Sequence, residues 1–353
     1  MSRFKTCLHR EWRHLIAITP SERPWQMPVA AALASGLPLA MAAAFDRLNY
    51  GFTASLAGLV FLYLPATALS HRMTRIAVCA LGMAACYTLG LLCHFTPWLT
   101  VPTLAGLTML VTLLIRRHAV GPPGSLFFVM AAAIGAETPM ETRQLPVMVG
   151  WFCSGAMLAC LIALVYSLHS LRHRKPKPVH RSPQPTFDGI VFDAVIIGAC
   201  VGISLGLAHL LRLEKSYWVP VACLAVIQGT TLRAVWNRQV HRIIGTTLGL
   251  VLAWAILSLP LNDWLIAALV TGLMFVIEMM VVRHYAVATL FITPLGILLA
   301  EAATLGDTPA ATLIAARFYD TLLGAFVGFL GGGCLHSPRF RQIASRPVRR
   351  FFP

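Results

Sequence analysis

The apolar positions of this chain gather into long runs separated by short polar stretches. Runs occupy about 26–45, 51–69, 76–95, 98–115, 124–136 and 144–168. After a polar stretch they resume at about 189–211, 217–232, 240–259, 264–281, 285–300 and 311–335. A hydrocarbon core about 30 Å thick takes about 20 helical residues to cross. Several runs are shorter and contain Gly or Pro, which predicts tilted or broken helices. The pattern therefore predicts an all-α polytopic membrane protein with about twelve transmembrane helices. Ahead of them, Phe4, Leu8, Trp12 and Leu15 recur at helical spacing, with Arg3, Arg10 and Arg13 elsewhere around the wheel. That predicts a basic amphipathic segment over 1–25, lying on the cytoplasmic membrane surface.

Composition narrows the class. The chain is 58% hydrophobic and 12% charged, about half the charged share of a soluble domain. It has too little polar surface to cover a water-exposed core, which excludes soluble and disordered readings. The net charge of +15 would point to nucleic acid on a soluble protein. Its distribution removes that partner. With the N-terminus placed in the cytoplasm, twenty-three of the 28 Lys and Arg fall on cytoplasmic segments. Asp46, Glu137, Glu141, Glu214, Asp263, Glu301 and Asp307 fall on the other side. This is the positive-inside pattern, and it predicts both termini in the cytoplasm.

Motifs for several other chemistries are missing. The nine cysteines form no CxxC pair, and structural metal sites need closer ligand clusters. Cys79, Cys86 and Cys93 lie seven apart on one helix face, which suits packing. No GxxxxGK[ST] or HExxH occurs, and the single GxSxG, Gly202-Ile203-Ser204-Leu205-Gly206, lies inside an apolar run rather than at a strand-to-helix turn, so neither ATP hydrolysis nor another enzymatic activity has a positive signal, and no cofactor is expected. The first 25 residues are too polar for a secretory signal.

The halves echo one another. Tyr50 matches Tyr217, Arg75 matches Arg242 and Gly82 matches Gly249, each at an offset of 167. Arg117-His118 echoes Arg283-His284, and Arg143 with Gly150 echoes Arg317 with Gly324. Matches at the same place in a six-helix pattern predict an internal repeat. Six is an even number, so the repeats should be parallel about an axis along the membrane normal. The expected organisation is a cytoplasmic segment 1–25, a first six-helix repeat 26–168, a cytoplasmic linker 169–188, a second repeat 189–335 and a basic tail 336–353.

The second half carries Tyr217-Trp218-Val219-Pro220, then Arg242-Ile243-Ile244-Gly245-Thr246-Thr247-Leu248-Gly249. Phe291-Ile292-Thr293-Pro294-Leu295 and Arg317-Phe318-Tyr319-Asp320-Thr321-Leu322-Leu323-Gly324 follow. This order, over about 190–335, resembles the fusaric acid resistance protein-like family of bacterial inner-membrane proteins, which includes aromatic acid exporters. The resemblance implies efflux transport and a periplasmic membrane-fusion adaptor as partner. Long family members carry a large cytoplasmic domain, whereas the linker here is about twenty residues.

A few polar residues stand out within the apolar runs. Glu278 sits in Leu273–Val282, where a carboxylate facing lipid is costly and must look inward. It is a candidate proton-coupling group, with pairing to Arg283 or His284 as the structural alternative. Arg233, Arg238 and Arg242 gather at one helical hairpin and could attract an organic anion. Snorkelling to headgroups is the alternative for them, and helix packing is the favoured reading for Gly245 and Gly249. Gln228 needs an internal partner and is a candidate for binding substrate. Arg317 and Asp320, three apart on one helix face, read as an ion pair first and as a gate second. The expectation is a proton-driven secondary exporter of small organic acids, aromatic by resemblance. The alternative is a non-transporting membrane scaffold or assembly factor. The sequence leaves the oligomeric state open, a homo-oligomer included.

Overall fold

Twelve α-helices form among the described residues of the computed structural model, which are 20–21, 23–178, 186–300, 309–338 and 340. The expected amphipathic run through Phe4–Leu15, Arg181 of the linker, Glu301, Asp307 and most of the basic tail lie outside them. In chain order the helices are α1 (Gln26–Ala44), α2 (Leu48–Gly58), α3 (Leu69–His94), α4 (Thr100–Arg117), α5 (Leu126–Glu137) and α6 (Leu145–His173). The second half holds α7 (Phe187–Leu210), α8 (Trp218–Ile227), α9 (Leu232–Leu257), α10 (Asp263–Met280), α11 (Tyr285–Ala300) and α12 (Ala310–His336). Short 3-10 turns extend α2 through Leu59–Tyr63 and lead into α4 and α6. No strand occurs among the described residues.

Eight of these helices are long and apolar enough to cross a membrane. Four are short: Leu48–Tyr63 (α2 with its 3-10 extension), Leu126–Glu137, Trp218–Ile227 and Tyr285–Leu299. Twelve helices answer the twelve apolar runs, several of them short as expected. The ten-residue α8 rises only about 15 Å at 1.5 Å per residue, half the hydrocarbon thickness. Its apolar run was expected to continue to 232. It stops because Gln228 and Gly229 leave the helix and Thr231 caps α9, its side chain accepting from Ala234 N at 3.1 Å. Asn262 caps α10 the same way, accepting from Leu265 N at 2.8 Å. Such caps satisfy amide donors that a helix start leaves open.

Length alternates in one order in both halves: long, short, long, long, short, long. The pairings recur too. Helix α3 packs on α5 and α9 on α11, while α2 packs on α6 and α8 on α12. Further pairings cross between halves, most extensively α1 on α10 and α4 on α7, with α5 on α8 as a smaller one. Small residues allow these approaches, as is usual where lipid gives helices no hydrophobic reason to associate. A Cβ on Gly90 would stand 2.1 Å from Ala132 O, and one on Gly249 would stand 2.5 Å from Leu290 O. Gly155 meets Ala54 O at 2.1 Å in the same sense, and Gly324 meets Val219 O at 2.3 Å.

Some of the sequence echoes coincide in space and one does not. Gly82 faces Phe128 of α5, as Gly249 faces α11. Arg75 donates to His118 O, at the end of α4, at 3.4 Å, and Arg242 donates to the hydroxyl of Tyr285, at the start of α11, at 3.4 Å. Arg143, however, lies in an exposed 3-10 turn, whereas Arg317 is buried inside α12. Gly150 has nothing within 4 Å of a built Cβ, and Gly155 makes the close crossing instead. Their shared spacing of seven is a coincidence of sequence. Cys79, Cys86 and Cys93 are free and buried, in keeping with a packing role.

Candidate functional site

The linker marks one side of the molecule. Lys177 N donates to Ala66 O at 2.9 Å, so the chain leaving α6 lies beside the α2–α3 connection. On the opposite side, a cavity of about 1040 Å³ opens between the halves. Its mouth is formed by connecting segments that include Asp46, Arg47, Pro139 and Leu259. The first half supplies a wall with polar and aromatic groups, Asn49, Tyr50, Thr53, Tyr87 and Gln144. The second half supplies an aliphatic wall, including Leu257, Ile266, Leu299 and Leu313. Two stacked aromatic pairs brace the first wall: Tyr50 on Trp151 at 5.5 Å and Tyr87 on Phe152 at 4.5 Å.

The two largest cross-half interfaces each carry an arginine–carboxylate pair near the linker side. Glu278 at the end of α10 pairs with Arg23, just ahead of α1, at 3.2 Å. The carboxylate side chain is 6% exposed and the arginine 37%. Its ion-pair partner is thus Arg23, on the α1 side of the α1–α10 packing, rather than Arg283 or His284. His284 stacks on His241 instead, at 5.0 Å. At the other interface Arg116 of α4 pairs with Asp193 of α7. Asp193 is buried and was not singled out by the sequence reading. Its signal was present, an acid inside the apolar run 189–211. On the opposite side Glu137 accepts from Ser216 and lies 3.5 Å from His209, a third polar link between halves.

Gln228 finds its internal partner across the same divide. Its Nε2 donates to Ser125 Oγ at 3.0 Å, and Thr112 Oγ1 donates to that hydroxyl at 3.2 Å. The neighbouring turn is fixed by Tyr63, whose hydroxyl donates to Gly124 O at 2.8 Å. Gly124 has φ +65°, and a Cβ there would stand 2.9 Å from Gln228 Oε1. The left-handed backbone is what favours glycine here.

The family-like motifs meet in pairs. Arg317, Asp320, Thr321 and Gly324 are all buried on one face of α12. Arg317 places its guanidinium carbon 3.4 Å from the centroid of the Trp218 ring of α8, a cation–π contact. Four residues earlier, Leu313 lines the cavity. Gly296 completes the slot, since a Cβ there would come 3.0 Å from Trp218 Cη2 and 3.4 Å from Arg317 Nη2. The Arg242–Gly249 motif packs on α11 in turn: Gly245 approaches Ala286 O, and Gly249 approaches Thr293. Along α9, Arg233 is exposed, Arg238 half-buried and Arg242 4% exposed. The hairpin cations thus form a graded series rather than a cluster. They lie near the linker side, apart from the Arg317–Trp218 slot.

The comparisons fall on this half of the chain. Residues 195–331 match the model of the fusaric acid resistance protein-like family. A curated relative, "Uncharacterized membrane protein YvaC" of Bacillus subtilis (strain 168), is 35% identical over 117 residues. That match covers 33% of this chain and 18% of the relative's length. No solved structure matches. The protein is a multi-pass membrane protein whose second half carries the pattern of the fusaric acid resistance protein-like family.

Proposed function

We propose that this protein is a secondary exporter of small organic acids, aromatic carboxylates among them, in a bacterial inner membrane. In this reading it is two parallel six-helix repeats with both termini cytoplasmic. The observation that carries it is the cavity of about 1040 Å³ between the halves. Both halves line it, its mouth faces away from the linker, and the linker side is bridged by the two arginine–carboxylate pairs. A pathway where two repeats meet is the architecture of many secondary transporters. The family description names fusaric acid, an aromatic carboxylic acid. The linker side is rich in arginine, with Arg72, Arg75, Arg116, Arg117, Arg233, Arg238 and Arg242, whereas the cavity is bordered by Asp46, Asp263 and one arginine, Arg47. That asymmetry draws an organic anion in from the linker side and does not retain it at the far side.

Proton drive is assigned to Glu278, a buried carboxylate at an interface between the halves. A periplasmic adaptor is implied by the family resemblance. The test is loss of the gene. Cells lacking it should become more sensitive to a panel of aromatic acids, fusaric acid included, and should accumulate them. Unchanged tolerance and accumulation across the panel would favour a scaffold without transport.

A further inference from the structure

Among the described residues Arg242 is poorly matched beside the other buried charges. Glu278 and Asp193 each face an arginine. Arg72, 4% exposed, donates Nε to Thr67 O at 2.7 Å. Arg317 lies on the Trp218 ring. Arg242 is as buried as Arg72, yet its Nε has no hydrogen-bond partner among the described residues. Its polar contact is Nη1 to the Tyr285 hydroxyl at a long 3.4 Å. No carboxylate among the described residues pairs with it.

A guanidinium taken out of water needs an opposite charge and filled donor positions, and without them it destabilises the fold. A chain that keeps such a group buried has a reason other than its own stability. The open donors also state what would fill them. Nε and an Nη of arginine form a planar fork that matches the two oxygens of a carboxylate. The Tyr285 hydroxyl, already beside Nη1, can donate to the same anion. The close crossing at Gly245 holds α11, and with it Tyr285, against α9: a Cβ there would stand 2.5 Å from Ala286 O. Arg238, one turn earlier and half-buried, and Arg233, exposed near the start of α9, give a carboxylate a stepped approach.

We propose that Arg242 and Tyr285 form a carboxylate-binding subsite, which takes the acid group of a monoanionic organic substrate on the linker side. This deepens the exporter reading and rests on it for its purpose, but not for the binding itself.

The test uses the purified full-length protein in lipid nanodiscs, with benzoate as probe and benzamide as its neutral counterpart. Thermal unfolding is followed by tryptophan fluorescence. A ligand that binds only the folded state raises the unfolding temperature with its concentration. Benzoate should do so and benzamide should not. In Arg242→Gln the benzoate-dependent rise should vanish. Without benzoate that variant should unfold at the same or a higher temperature, because an uncompensated buried charge is gone. Tyr285→Phe should need several-fold more benzoate for the same rise. Three results would overturn the proposal: no rise in the unmodified protein, an equal rise in Arg242→Gln, or a lower unfolding temperature of that variant without benzoate. The last would make Arg242 a structural anchor. The exporter reading falls separately, through unchanged cellular tolerance, and a benzoate effect at Arg242 would survive that outcome.

Discussion

A carboxylate inside a membrane helix is relieved by a proton or by a cation, and Glu278 has Arg23 at 3.2 Å. Glu278→Gln keeps the shape and removes both the charge and the titration. If Glu278 carries protons, the variant should insert and fold, while transport driven by a pH gradient should be lost. Transport per folded molecule in proteoliposomes decides this, and normal pH-driven activity would sink the role. Arg23→Gln instead leaves a buried carboxylate without its cation. It should lower stability by about 1–3 kcal/mol, measured by denaturant unfolding in micelles. Under the proposed function Arg233 and Arg238 would act earlier, by attraction. Their Gln variants should raise the substrate concentration for half-maximal transport with little change in maximal rate. Glu278 was legible in the sequence because its setting made it costly. Arg23 was not, because the two residues stand 255 positions apart. Nothing in local spacing reveals a partner brought close by α1 packing on α10.

Helix crossings in the second half depend on glycine, and the two glycines once matched by spacing make opposite demands. Gly324→Ala drives a Cβ to within 2.3 Å of the Val219 carbonyl. Overpacking of this kind costs about 1–3 kcal/mol, so less folded protein should survive heating in a fluorescence-detected size-exclusion assay. Gly150→Ala meets nothing within 4 Å. In a helix interior it should be neutral or should stabilise by up to about 1 kcal/mol. Equal losses in both variants would contradict these packing assignments. Element positions were largely legible: the apolar run expected at 285–300 is α11 itself, and that at 26–45 is α1 within a residue. The shortness of α8 was less so. Hydropathy runs through Gln228 and Gly229 toward 232, and only the chain's exit from the helix, with the Thr231 cap, ends it.

At the scale of the molecule, the loops should sort by side. Reporter fusions at Asn49, Thr96, Glu141, Leu213 and Asn262 should report periplasm, and those at Met73, Arg117, Pro178, Arg238 and Arg283 cytoplasm. A cytoplasmic signal from Glu141 together with a periplasmic one from Pro178 would break the two-repeat arrangement. The cavity mouth shares its side with Asn49, and the Lys177–Ala66 hydrogen bond puts the linker on the other. The crossed pairing of α1 with α10 and α4 with α7 also bears on how the protein is made. The ribosome delivers α1 more than two hundred residues before the helix that covers its alanine-rich face, where Gly36 lies against Thr271. Insertion and folding must therefore proceed in different orders. An early helix waits in lipid with its contact face unfilled until the chain is nearly complete. Two half-chains, synthesised from separate messages, would have to find each other before either reached its mature shape.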